Sequence, residues 1–263
     1  MEPAFITCSD GCQIHYRFDG PEDAPVLMLS NSLGTAMAMW EPQLTDFVKH
    51  FRVLRYDQRG HGLSASPRGA YSIDRLGSDV IELLDALKLD KVHFCGLSLG
   101  GMTGQWLGIR SPDRLKKLIL ANTSPYMGPP SAWDARIELV YREGLAALAQ
   151  TSAERWFTAG FIKTAPQTVV LFQAQLAGNN VAGYAGCCAA IRDMDLRPTA
   201  GLIDVPTLVI AGVHDPATPS EHAEFLATNI QAARLAHLNA AHLSNIEQPE
   251  SFAELVLEFL EEL

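Results

Sequence analysis

The chain has 263 residues, of which 48% are hydrophobic and 19% charged, and its formal net charge is −10. This composition is typical of a globular protein with a large buried core. One α/β domain with a small insertion fits the length, and so would two small domains. The negative charge argues against binding to nucleic acid or to an anionic membrane, and no apolar run approaches the roughly 18 residues of a membrane span.

The N-terminus and the cysteines predict a cytoplasmic protein. The first 13 residues contain neither the basic nor the apolar region of a secretory signal peptide. The cysteines are odd in number and show no paired CxxC spacing, so we expect reduced thiols and no metal site. They are Cys8, Cys12, Cys95, Cys187 and Cys188.

Eight short segments have the pattern of strands, either alternating or continuously apolar. The first two flank Asp10-Gly11 and are predicted to pair as a β-hairpin. In chain order, the predicted strands are residues 4–8, 13–18, 25–31, 51–57, 91–97, 115–122, 205–212 and 234–238. Helices are predicted over residues 39–50, 72–89 and 98–110, after Pro219, and from Pro249 to Leu263.

The alternation of strands and helices stops between residues 124 and 202, where the sequence is helix-like throughout. It resumes with the strand at residues 205–212. The pattern predicts an α/β protein with a mostly parallel sheet and helices on both faces. We expect a core of residues 1–123 and 203–263, interrupted by a helical insertion of residues 124–202.

Gly96-Leu97-Ser98-Leu99-Gly100 matches the motif G-x-S-x-G, and it lies between a predicted strand and a predicted helix. In this motif the serine occupies a strained turn, and neighbours without side chains let the strand and the helix pass closely. Ser98 is therefore the candidate nucleophile. The alternative is an ordinary glycine-rich turn that grips a phosphate.

A serine nucleophile needs a base and an acid, which follow it in the chain order Ser, acid, His in this type of fold. Asp215 follows the strand at residues 205–212, and His242 follows the next strand. Because the carboxyl ends of parallel strands share one edge of a sheet, we expect Ser98, Asp215 and His242 to meet there. His242 is the predicted base, and Asp215 is predicted to orient it.

Other histidines and one other acid compete for these roles. His214 adjoins Asp215 and is expected at the rim of the site, whereas His61 is expected to hydrogen-bond within its loop. Asp57 also follows a strand, and we assign it a structural role in tying its turn together with Arg59. His237 is expected to be structural, and surface or core positions are expected for His15, His50, His93 and His222.

Two backbone N–H groups are candidates for an oxyanion hole. The Leu99 N–H lies at the start of the helix after Ser98, and the Leu33 N–H lies in the loop after the strand at residues 25–31. Gly34 would let that loop fold inward. The alternative for this loop is an ordinary strand–helix connection.

The blocks SNSLGT, YDQRGHG, GLSLGG, GVHDPATP and AAHLSNIEQP together resemble the α/β-hydrolase fold. The first and last blocks resemble, more specifically, the 3-oxoadipate enol-lactonases of bacterial aromatic-acid breakdown. Asn31-Ser32 stands where many α/β-hydrolases have His-Gly, which is usual in these lactonases. The resemblance implies a mostly parallel eight-stranded sheet, with Ser98 as nucleophile, Asp215 as acid and His242 as base. It also implies an oxyanion hole at Leu33 and Leu99, and a lid at residues 124–202.

The lactone that this resemblance implies carries a carboxylate, which requires a cation. Trp133 and Arg136 are spaced i, i+3 on one predicted helix of the insertion, so one face presents both. We expect Arg136 to bind the carboxylate and Trp133 to form an apolar wall. The alternative is a solvated arginine beside a core tryptophan. The other cations of the insertion are Arg142, Arg155, Lys163, Arg192 and Arg197.

The function expected from this resemblance is hydrolysis of 3-oxoadipate enol-lactone, without a cofactor and with the small lactone as the partner. A general carboxylesterase or a cofactor-free haloperoxidase-like hydrolase would keep the same three residues and differ in the insertion. A non-catalytic sensor of small molecules on the same fold is the third possibility. The sequence gives no basis for assigning an oligomeric state.

Overall fold

The computed structural model describes residues 3–231 and 233–261. Within these residues eight strands form one sheet in the order β1-β2-β4-β3-β5-β6-β7-β8. The first two strands pair antiparallel, β2 is antiparallel to β4, and the remaining neighbours are parallel. The strands are Ala4–Thr7 (β1), Gln13–Asp19 (β2), Val26–Ser30 (β3), Arg52–Tyr56 (β4), Val92–Leu97 (β5), Leu115–Ala121 (β6), Thr207–Gly212 (β7) and Ala233–Leu238 (β8). The predicted fold class, a mostly parallel eight-stranded sheet flanked by helices, is confirmed.

The central strands are apolar along their whole length because both faces of the sheet are covered. Successive side chains alternate between two hydrophobic clusters: Leu27 and Leu29 of β3 belong to one, and Met28 between them to the other. In β6, Ile119 and Leu120 divide in the same way. This two-sided burial fixes the register of the strands, since a slip by one residue would exchange the faces.

Helices cover both faces of the sheet and fill the insertion. They are Glu41–Phe47 (α1), Ile73–Ala86 (α2), Leu99–Arg110 (α3), Pro130–Glu143 (α4), Ala149–Trp156 (α5), Ala159–Thr164 (α6), Pro166–Gly178 (α7), Val181–Asp193 (α8), Ser220–Asn229 (α9), Ser244–Glu247 (α10) and Pro249–Glu261 (α11). Short 3₁₀ turns lie at Met37–Trp40, Pro112–Arg114, Leu145–Leu148 and Ala200–Leu202. Residues 262 and 263 of the predicted last helix lie outside the described residues.

Two helix predictions differ from the structure. The segment predicted as one helix at residues 39–50 is a 3₁₀ turn followed by α1, because Pro42 lies in the first turn of a new helix, where its missing N–H costs nothing. Residues 124–129 and 194–199 are not helical, so the prediction of helix throughout 124–202 is wrong at both ends. Prolines in these stretches lack the N–H that continues a helix.

The parallel sheet brings the candidate residues to one edge. Ser98, Asp215 and His242 follow the carboxyl ends of β5, β7 and β8, and β6 lies between β5 and β7. None of the helices in residues 3–231 and 233–261 has the length and apolar character needed to cross a membrane.

Candidate active site

The turn after β5 holds Ser98 in a backbone conformation that residues other than glycine rarely adopt, with φ 57° and ψ −115°. Its flanking glycines are required by close contacts. A Cβ on Gly96 would lie 2.1 Å from the carbonyl oxygen of Gly100, and a Cβ on Gly100 would lie 2.2 Å from that of Ser30. The Ser98 N–H donates to the Ala121 carbonyl at 2.9 Å. The turn is thus fixed between two neighbouring strands, with the strain concentrated at the serine.

Ser98, His242 and Asp215 form a continuous hydrogen-bonded chain. The Nε2 atom of His242 lies 2.9 Å from Oγ of Ser98, and its Nδ1 atom lies 2.8 Å from Oδ2 of Asp215. A carboxylate accepts only, so Nδ1–H donates to Asp215 and Nε2 is left to accept from the serine hydroxyl. The exposed fractions are 7%, 4% and 5% for Ser98, His242 and Asp215. The candidate base and the candidate nucleophile are therefore in contact in a site shielded from water.

Four donors besides His242 bind the Asp215 carboxylate. Oδ1 accepts from the N–H groups of Ala217 and Thr218 at 2.8 and 3.0 Å. Oδ2 accepts from the Thr218 hydroxyl at 2.7 Å and from Nδ2 of Asn122 at 3.0 Å. Burial by itself would raise the pKa of Asp215, but the His242 ring and these hydrogen bonds hold that pKa below its ordinary value. The acid is thus kept ionised and fixed in orientation.

The roles of Asn122 and Thr218 were not predicted from the sequence. Thr218 had a signal, since a hydroxyl three residues after an aspartate commonly takes part in local hydrogen bonds that close a turn. Asn122 directly follows β6, the strand between β5 and β7, and has a positive φ of 44°. A polar residue at that strand end could have been assigned to the site from the predicted strand positions alone.

The two candidate oxyanion donors lie in adjoining segments. Leu99 is the first residue of α3, so its N–H has no acceptor within the helix and lies at the positive end of the helix dipole. The loop that carries Leu33 rests on the same helix, because the Gly100 N–H donates to the Asn31 carbonyl at 3.0 Å. The Asn31 side chain is buried and accepts from Nε1 of Trp40 at 2.9 Å. The loop is therefore anchored beside the serine turn.

His61 supports this loop from the core. The Gly34 N–H donates to Nε2 of His61 at 2.9 Å, and burial lowers the pKa of His61 to about 4. The ring is thus neutral at physiological pH, with Nε2 available as an acceptor. On the other side of the loop, Nδ2 of Asn179 in the insertion donates to the Gly34 carbonyl at 2.8 Å. Gly34 is therefore held by both parts of the molecule.

Asp57 is structural, but its predicted tie with Arg59 is wrong. Its carboxylate accepts from the Met37 N–H at 2.8 Å and lies 2.8 Å from Nδ1 of His15. Arg59 instead pairs in two places with the buried carboxylate of Asp79 on α2, with one N···O distance of 2.6 Å. A planar guanidinium favours such a two-point pairing with a carboxylate that faces it. The rival histidine His214 is exposed and pairs with Oδ1 of Asn239 at 2.9 Å.

Trp133 and Arg136 lie on α4 and contact each other. The guanidinium carbon of Arg136 lies 5.8 Å from the Trp133 ring centre, and its Nε donates to the Tyr184 hydroxyl at 2.8 Å. Among the described residues Arg136 has no carboxylate partner, and its side chain is half-buried. The Tyr184 ring also packs on the loop beside Ser98, with Cε2 3.4 Å from where a Cβ of Gly34 would lie. One tyrosine side chain therefore separates the Arg136 guanidinium from the loop that carries Leu33.

In the described parts of the chain, no three histidine, cysteine or acidic side chains are grouped so that they could hold a metal ion. The chemistry available from the residues present is that of a hydroxyl, an imidazole and a carboxylate in line. This arrangement is the one that acyl transfer requires.

Residues 25–249 match the family model of the α/β-hydrolase fold. The chain belongs to the α/β-hydrolase family. It is 46% identical over 239 residues to 3-oxoadipate enol-lactonase 2 of Acinetobacter baylyi, which covers 91% of this chain and 90% of that relative.

Solved structures of the family are similar over nearly their whole length. The enol-lactonase of Burkholderia xenovorans LB400 has a TM-score of 0.96 at 43% identity, over 98% of this chain and 100% of that one. A hydrolase from Pseudomonas aeruginosa PA01 has a TM-score of 0.97 at 48% identity, over 99% and 98% of the two chains. The similarity of this α/β-hydrolase to the two lactonases extends over 91% and 98% of its length.

Proposed function

We propose that this α/β-hydrolase opens 3-oxoadipate enol-lactone to 3-oxoadipate, with Ser98, His242 and Asp215 as its catalytic triad. The observation that carries the proposal is the 2.9 Å contact between Ser98 and His242. It lies in a chain 46% identical to a 3-oxoadipate enol-lactonase. A hydrogen-bonded nucleophile and base are needed for turnover, which favours an enzyme over a protein that only binds its ligand.

The first half of the reaction forms an acyl-enzyme. Oγ of Ser98 attacks the carbonyl carbon of the lactone while Nε2 of His242 takes the serine proton, and Asp215 stabilises the resulting imidazolium. The negative charge that develops on the carbonyl oxygen is bound by the N–H groups of Leu33 and Leu99. The bond from the carbonyl carbon to the ring oxygen then breaks. The ring oxygen leaves as an enol, taking its proton from His242.

The second half releases the product. The enol converts to the ketone, which removes the nucleophile that would close the ring again. A water molecule gives a proton to His242 and attacks the acyl carbon, and the serine oxygen leaves with that proton. The products are 3-oxoadipate and the free enzyme, so each proton taken by His242 is returned within the cycle.

We assign the substrate contacts to the insertion, residues 124–202, as a lid over the core of residues 1–123 and 203–263. The carboxylate of the acetate arm would pair with Arg136, whose guanidinium lacks an acidic partner in the described structure. The Trp133 ring beside it would form an apolar wall. An arginine held by a tyrosine on one edge keeps its other N–H groups free for an anion.

The test is the loss of ultraviolet absorbance of the enol-lactone with the wild type and with Ser98→Ala. We expect the variant to lose about 10⁶-fold in kcat, as for removal of the serine from a comparable triad. Ser111→Ala, at the other end of α3, is the matched control and should keep full activity.

Other outcomes would contradict the proposal in distinct ways. A wild type that leaves the lactone intact but hydrolyses a simple aryl acetate would be a general esterase. A wild type that hydrolyses neither, and whose Ser98 is not labelled by a fluorophosphonate, would be a binding protein on the same fold.

A further inference from the structure

The loop that carries His242, residues 239–243, is held on both sides of the histidine. The Ala241 N–H donates to Oε2 of Glu247 at 2.6 Å, and the Leu243 N–H donates to the Trp156 carbonyl at 3.0 Å. Trp156 is the last residue of α5 and belongs to the insertion. The backbone that aims the histidine is therefore fixed partly by groups outside the core.

The second oxygen of Glu247 also reaches the insertion. Oε1 accepts from the Thr158 hydroxyl at 2.6 Å and from the Thr158 N–H at 3.2 Å. Thr158 is the N-cap of α6, and its hydroxyl in turn accepts from the Phe161 N–H at 3.2 Å. A single carboxylate thus joins the start of an insertion helix to the residue that precedes His242.

Glu247 joins Ala241 to Thr158 by hydrogen bonds and not by an ion pair, and we call these three residues the clamp. Glu247 is half-buried, and in the residues that the structure describes its carboxylate binds three neutral donors and no cation. A carboxylate accepts through both oxygens, whereas an amide offers one acceptor and one donor. No glutamine in this position could bind both Ala241 and Thr158 in the same way.

The contact between Glu247 and Thr158 lies at the surface of the protein. A surface groove of about 670 Å³ is lined by Phe157 and Thr158 of the insertion and by His214 and Glu247 of the core. Groups released from the Thr158–Glu247 contact would meet water in this groove and keep hydrogen-bond partners. Such an exchange replaces hydrogen bonds within the protein by hydrogen bonds to water.

We propose that Glu247 is a positioning residue that couples the insertion to the catalytic histidine. The His242 ring is aimed at Ser98 when the insertion is docked, because Glu247 and the Trp156 carbonyl then hold both neighbours of the histidine. Without these hydrogen bonds, the loop loses these restraints and the base loses its alignment. The inference rests on the proposed function, since it takes His242 as the base for Ser98.

The first test is Glu247→Gln, with kcat and KM on the lactone and the rate of fluorophosphonate labelling of Ser98 as readouts. Misplacement of a catalytic group by about 1 Å can cost about 100-fold, so we expect kcat and the labelling rate to fall together by about 10-fold to 100-fold. KM should change far less. Glu250→Gln, an exposed carboxylate at the start of α11, is the matched control and should label at the wild-type rate.

The second test addresses the insertion side and leaves Glu247 in place. Thr158→Val removes the hydroxyl that reaches Glu247 and should slow labelling of Ser98 several-fold, while Thr158→Ser keeps that hydroxyl and should recover most of the rate. This pair keeps the proposal testable if Glu247→Gln does not fold.

Three results would overturn the inference. If Glu247→Gln lowers the melting temperature but labels at the wild-type rate per folded molecule, Glu247 is only structural. If Glu247→Gln is slow and Thr158→Val is not, Glu247 acts on the histidine loop without coupling it to the insertion. If Leu243 and Ala241 keep their hydrogen-exchange protection in a slow Glu247→Gln variant, the loss does not come from the loop. A wild type that is not labelled at Ser98 contradicts the proposed function itself.

Discussion

The strand-end loops of the core and the helices of the insertion hold the proposed site residues by different means. In the core, backbone geometry places Ser98, and five donors hold Asp215. On the insertion, Arg136 is held by one hydrogen bond to Tyr184 and by contact with Trp133. The reacting groups are thus fixed by the sheet, and the proposed substrate contacts by a few helix side chains. Substitutions on α4 could therefore change the substrate without disturbing the chemistry.

The largest loss of activity is expected for a substitution in the core. Asp215→Asn should lower kcat about 10⁴-fold with little change in KM, because an amide in this network no longer favours the tautomer in which Nε2 of His242 accepts. The control is Asp195→Asn, which replaces an exposed carboxylate paired with Arg197 and should leave kcat unchanged. The measurement is steady-state lactone hydrolysis. A fall of less than about tenfold would mean that another acid orients His242, since this substitution usually costs far more.

The core was predictable because its signals are local. A strand followed by G-x-S-x-G, and acidic and histidine residues after two later strands, can each be recognised in a few residues, and parallel strands then bring them to one edge. The structure places Ser98, Asp215 and His242 in contact as these positions indicate. The pairing of Arg59 with Asp79 was not predictable, because it depends on how α2 packs on the loop after β4.

For the insertion, we expect a substitution to weaken binding of the lactone. Arg136→Met should raise KM for the lactone about 10-fold to 100-fold and leave kcat nearly unchanged, since a hydrogen bond to a charged group contributes about 1.5–3 kcal/mol. Hydrolysis of a neutral aryl acetate should not change, because that substrate carries no carboxylate. Arg142→Met on the same helix is the control, because the exposed Arg142 pairs with Glu143. An unchanged KM would assign the carboxylate to a different cation.

The insertion was less predictable because its contacts are between distant helices. The i, i+3 spacing placed Trp133 and Arg136 on one face, but nothing near them in the sequence indicated that Tyr184 on α8 would bind the guanidinium. The clamp at Glu247 shows the same limit. Its three donors come from residues 6 and 89 positions away. Side-chain pairs of this kind follow from helix packing, which no local pattern encodes.

The loop of residues 31–35 lies between the two regions. The smallest expected effect concerns its contact with His61 and the pH dependence of stability. Burial lowers the pKa of His61 to about 4, below the ordinary value of about 6.5 in the unfolded chain. The unfolded state therefore binds the proton first. The contribution of neutral His61 to stability is complete above about pH 6.5 and is lost as the pH falls towards 4, by about 2 kcal/mol between pH 7 and pH 5.

His61→Gln should remove this dependence, because glutamine does not titrate and its carbonyl can still accept from the Gly34 N–H. In denaturant unfolding, the stability lost between pH 7 and pH 5 should be about 2 kcal/mol smaller in the variant than in the wild type. His93, whose pKa burial also lowers to about 4, lies at the start of β5 and is the matched control. His93→Gln should flatten the pH dependence of stability equally and leave kcat unchanged, whereas His61→Gln should also lower kcat several-fold if the loop orients the Leu33 N–H. Equal kcat values in the two variants would mean that the core supports this loop for stability alone, and that its alignment beside Ser98 depends on the insertion through Asn179.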